Sequence, residues 1–73
     1  MQQELTDLVQ GAFPGASVQV LVDGNRAEIS VVSDVFADMS RVKKQQAVYA
    51  CIDEYISDGR LHAVSIKAQA PEG

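Results

Sequence analysis

The chain predicts an α+β sandwich in the order α-β-β-α-β, with a three-stranded mixed sheet and its helices packed on one face. Three observations lead there. Two alternating segments flank a turn tripeptide, a long amphipathic segment with clear ends follows, and a third alternating segment closes the pattern. The long segment suits a crossover connection, so the last strand should run parallel to a neighbour.

The first element is a short helix. Leu5, Leu8, Val9 and Ala12 stand at i, i+3, i+4 and i+7, one helical face. Gly11 weakens its last turn, and Pro14 in "FPG" ends it by disfavouring helical geometry at Phe13. In "SVQVLV", Val18, Val20 and Val22 face one side, with Ser17, Gln19 and Leu21 on the other. "RAEISVVS" sets Ala27, Ile29 and Val31 against Glu28, Ser30 and Val32. Both are half-buried strands, and "DGN", Asp23 to Asn25, tolerates the positive φ of a hairpin.

The longest element is "SRVKKQQAVYACIDEYISDG", with Ser40 as N-cap and Gly59 as a left-handed stop. Val42, Val48, Tyr49, Ile52, Tyr55 and Ile56 are expected on its buried face. The preceding "DVFADM" reads as an irregular turn that tucks Phe36 and Met39 into the core. His62, Val64, Ile66 and Ala68 then alternate with Ala63, Ser65 and Lys67, placing His62 at the mouth of a strand and the edge of the core.

Size and composition set limits on function. Seventy-three residues make one small domain, 1–73, with 47% hydrophobic and 22% charged residues. A net charge of −4 opposes general attraction to nucleic acid or anionic membranes. Cys51 is the only cysteine, which excludes an internal disulfide and a cysteine-only metal site. The start lacks the basic region and apolar run of a signal peptide, and no segment reaches the roughly 18 apolar residues of a membrane span. A soluble, cytoplasmic domain is expected.

Little in the chain carries enzyme chemistry. There is no phosphate-binding glycine loop, no paired catalytic carboxylates and no nucleophile-base motif, so an enzyme is not expected. His62, the only histidine, is either a packed strand-end residue or a ligand whose neutral ring suits a borderline metal. Alone it cannot complete a four-ligand site, so other ligands would come from a partner. Cys51 reads as a small helix residue at the margin of the apolar stripe, where Lys44 would lower its thiol pKa slightly. Arg41, Lys43 and Lys44 form the one basic cluster, read as a solvated helix start or, with Lys67, as a nucleic-acid surface.

"FADMSRVKKQQAVY", Phe36 to Tyr49, followed by "EYISDGRLHAVSIKA", Glu54 to Ala68, resembles the BolA family in its bacterial IbaG branch. The resemblance is specific over residues 29–68 and agrees in element order over residues 3–28. It implies a KH-like (type II) fold without the GXXG loop. It also implies non-enzymatic work in iron–sulfur metabolism, iron homeostasis and stress response. Such proteins pair with monothiol glutaredoxins carrying a CGFS motif. In the heterodimer a [2Fe-2S] cluster is held by the glutaredoxin cysteine, glutathione and ligands of the BolA-like chain. His62 matches the family's C-terminal histidine ligand; imidazole in place of thiolate raises the reduction potential and makes the bond sensitive to protonation.

The family's second ligand, a histidine or cysteine, comes from the loop between the first two strands. Here that loop, Val22 to Glu28, contains neither. Arg26 falls near the expected place but offers no lone pair, and an oxygen of Asp23 matches a soft centre poorly. The tail "QAPEG" is shorter than in many relatives, which implies a reduced partner surface. The resemblance leaves homodimerisation open. It also supports an alternative, a nucleic-acid-binding transcriptional regulator working through Arg41, Lys43, Lys44 and Lys67.

Overall fold

A computed structural model describes residues 1–71. The expected domain, 1–73, and the short-tail reading extend over residues 72 and 73, which lie outside the described residues. The elements follow the expected order: α1 (Gln2–Ala12), β1 (Ser17–Asp23), β2 (Arg26–Val32), a 3-10 helix (Asp34–Asp38), α2 (Arg41–Ser57) and β3 (Ala63–Gln69). The sheet order is β1-β2-β3, antiparallel between β1 and β2 and parallel between β2 and β3.

Alternation in the sequence becomes three cross-strand rows on the helix-covered face. Val18, Val31 and Ala68 share one row; Val20, Ile29 and Ile66 the next; Val22, Ala27 and Val64 the third. The β2 members are buried because they alone have a strand on each side, whereas the β3 members are half-buried. Gly24 and Asn25 form the two-residue hairpin loop. Gly24 at φ +61° fits the first central position of a type II′ turn, and no non-glycine residue has positive φ among the described residues.

Leu5 and Val9 are the buried residues of α1, but Leu8 is 44% exposed, against expectation. Leu8 points about 80° from the midline between those two, off the arc the sheet covers. Ala12 is exposed as well, at the helix end. Phe13 fills the core there, its ring centroid 5.2 Å from that of the fully buried Phe36. Met39 is half-buried beside them, as expected.

Both ends of α2 are as anticipated. The Ser40 hydroxyl accepts a hydrogen bond from the Lys43 N–H at 3.2 Å, and Gly59 adopts φ +84°. Val48, Ile52 and Tyr55 are buried, flanked by half-buried Tyr49 and Ile56. Val42 does not join them and is 64% exposed. Six residues before Val48, it lies about 120° around the helix from that side chain, so the expected apolar face was too wide. β3 begins at Ala63, one residue later than the alternation had it, so His62 stands just before the strand and is exposed. The core residue of that stretch is Leu61, 2% exposed.

Candidate functional site

His62 stands where the entry to β3 passes the β1–β2 hairpin. Its backbone N–H donates to the Asn25 carbonyl at 2.8 Å, and the Ala63 N–H donates to the same oxygen at 3.3 Å. One step earlier, the Leu61 N–H donates to the Tyr55 carbonyl at 3.0 Å while the Leu61 side chain enters the core. The main chain at His62 is therefore held by the helix end, the hairpin turn and a buried neighbour. Its imidazole is exposed and takes part in no side-chain hydrogen bond among the described residues. It borders a cleft of about 110 Å³ with Tyr49, Ile56, Leu61 and Val64. The sequence pattern points to His62 but not to Asn25, whose carbonyl fixes it; main-chain acceptors leave no mark in residue type.

The surrounding donors are sparse. Asp23 and Arg26 pair across the hairpin and are exposed, and the two turn residues between them are Gly24 and Asn25. Among the described residues, no three of His, Cys, Asp or Glu gather as a metal-binding group. Cys51 is half-buried on α2, its thiol 3.5 Å from the Ala47 carbonyl. Burial pushes that thiol up, opposite to the slight lowering expected from Lys44. His62 thus offers one exposed imidazole, a side chain that can serve as a single metal ligand. A soft second donor is not found in the hairpin.

The chain just before His62 is braced to both helices. The Tyr55 hydroxyl donates to Glu4 Oε2 at 2.9 Å, joining α2 to α1. That bond holds the Glu4 carboxyl below its ordinary value and pushes the Tyr55 phenol above its own. Arg60 stacks over the Tyr55 ring, 3.9 Å from its centroid, and its Nε lies 2.7 Å from Asp58 Oδ2.

The basic residues divide. Arg41 and Lys44 line a cleft with Gln45 and residues 66–69 of β3, including Lys67. Both lie within about 40° of the line of Val48, so the buried stripe of α2 begins with two cations. Lys43 points about 130° away from their midline and is absent from that cleft. Helical angle could have paired Arg41 with Lys44; only the crossover brings Lys67 to them.

The described residues thus form a small α+β domain with an exposed histidine at the hairpin end of its sheet. A family model described as BolA-like protein matches residues 22–73. The "Acid stress protein IbaG" of Escherichia coli is 46% identical over 68 residues, covering 93% of this chain and 81% of that protein. A protein of the rpoN-murA intergenic region of Acinetobacter guillouiae is 37% identical over 70 residues, covering 96% of this chain and 84% of its own. The fold superposes on Arabidopsis thaliana BolA1 with a TM-score of 0.85 and 23% identity, over 96% and 90% of the two chains. The BolA domain of Arabidopsis thaliana SufE1 gives 0.85 and 22%, over 96% and 91%. The chain belongs to the BolA family, on its IbaG branch. No helix of the described residues is long and apolar enough to cross a membrane.

Proposed function

We propose that this protein is a non-enzymatic accessory factor that binds a monothiol CGFS glutaredoxin and contributes His62 to a shared [2Fe-2S] cluster. The observation that carries the reading is the exposed imidazole on a main chain pinned at 2.8 Å to the hairpin turn. An exposed ring on a fixed backbone is accessible to a partner's metal and loses little freedom on ligation. The glutaredoxin thiolate and glutathione would hold the cluster on the partner side. Cys51 is a poor candidate for joining them, because burial disfavours its thiolate. The cluster would supply electron or iron–sulfur transfer chemistry; this chain would supply one nitrogen ligand and a docking surface.

Mixing the protein with cluster-loaded CGFS glutaredoxin should change the visible absorption and circular dichroism of the cluster. His62→Ala should abolish that change while leaving the far-ultraviolet spectrum intact. A wild-type mixture with an unaltered cluster spectrum removes the ligand role, and a silent apo titration removes the partner.

A further inference from the structure

The free edge of β3 is an open ladder beside a cluster of cations. Ala63 and Gln69 bond toward β2 and its turn: the Ala63 N–H reaches Asn25 at 3.3 Å, and the Gln69 carbonyl accepts from the Ser33 N–H at 3.0 Å. Alternate residues must therefore aim their main-chain groups away from β2. Val64 does so, since its carbonyl accepts a hydrogen bond from the Tyr49 hydroxyl of α2 at 3.3 Å. By the same alternation Ile66 and Ala68 present N–H and C=O groups to the free edge. No side chain bonds to either residue among the described residues.

The opposite edge is treated differently. There the Gln2 side chain of α1 accepts a hydrogen bond from the Val22 N–H at 3.1 Å, so a helix residue occupies a ladder position of β1. At β3 the cleft that contains Ile66 and Ala68 is instead lined by Arg41, Lys44 and Lys67, with no carboxylate. None of these three cations forms an ion pair among the described residues. Three of the six lysines and arginines thus gather at an unpaired strand edge in a chain of net charge −4.

We propose that the β3 edge, at Ile66 and Ala68, accepts an extended acidic peptide segment of a partner as a fourth strand, its carboxylates facing Arg41, Lys44 and Lys67. Main-chain bonds would provide the attachment and the cations the choice of partner. A second copy pairing through the same edge would set two groups of like cations against each other, which disfavours it. The site is separate from His62, about 16 Å back along the strand from Lys67.

The test uses the isotope-labelled protein and a short peptide alternating threonine with glutamate, beside a peptide with lysine in place of glutamate. In the free protein, the Ile66 and Ala68 amides should exchange with solvent faster than those of Ser65 and Lys67. The acidic peptide should slow their exchange and shift their resonances, and the lysine peptide should not. Reversing both Arg41→Glu and Lys44→Glu should weaken binding by about tenfold, with Lys43→Glu changing it far less and His62→Ala leaving it intact. Equal binding of the two peptides, equal weakening by Lys43→Glu, or no response to the acidic peptide overturns the proposal. So does protection of Ile66 and Ala68 in a self-associated protein without peptide, which assigns the edge to a second copy.

Discussion

Neighbouring residues Leu61 and His62 should respond oppositely to truncation. Leu61 is 2% exposed and borders the core that Tyr55 and Ile52 complete. Truncating a buried leucine costs about 2–5 kcal/mol through lost transfer energy and the remaining cavity. Domains have about 0.05–0.15 kcal/mol of stability per residue, so this chain has roughly 4–11 kcal/mol in total. Leu61→Ala should therefore remove a large share of it and lower the melting temperature by at least about 8 °C. His62→Ala removes an exposed ring with no hydrogen bond and keeps the main-chain bond to Asn25, so stability should change by less than about 0.5 kcal/mol. Urea unfolding followed by far-ultraviolet circular dichroism measures both. A loss above about 1 kcal/mol for His62→Ala would show that the imidazole supports the fold, and the case for it as a free ligand would collapse.

Three further outcomes are expected. The folded Glu4 carboxyl titrates below its ordinary value of 4.5, mainly through the Tyr55 hydroxyl, so its contribution is present above that value and lost as pH falls through the lower folded one. The stability gap between wild type and Tyr55→Phe should accordingly shrink on acidification, and a gap constant with pH across urea titrations would refute the linkage. Gly59→Ala should cost more than about 1 kcal/mol, because open space around the added Cβ does not relieve the strain of φ +84°; unchanged stability would contradict that backbone conformation. Burial raises the Cys51 thiol pKa, so iodoacetamide should label the folded protein more slowly near neutral pH than the urea-unfolded chain. Equal rates would show that the thiol is not protected.

The ends of α2 and the pleat of all three strands are legible because they depend on local chemistry. Ser40 caps through its own hydroxyl, Gly59 adopts a backbone state that needs no Cβ, and alternation puts the three cross-strand apolar rows on one sheet face. His62 stands out by residue type alone, as the sole imidazole, and by its place in a family motif. Periodicity is less informative at the margins of a face. Val42 and Leu8 are as apolar as their buried neighbours, yet each points off the arc that another element covers.

Residue order by itself determined which segments become helix and strand, because these follow from local geometry, and its family motif singled out His62 as the ligand candidate. Only the tertiary structure decided what those segments meet. Parallel pairing of β3 with β2 carries His62 to the Asn25 carbonyl, and the α2 crossover lays Arg41 and Lys44 beside Lys67. Both are contacts between residues far apart in sequence, and no local propensity encodes them. They arise because the α2 crossover carries the chain back across the sheet and lays the last strand parallel to the second.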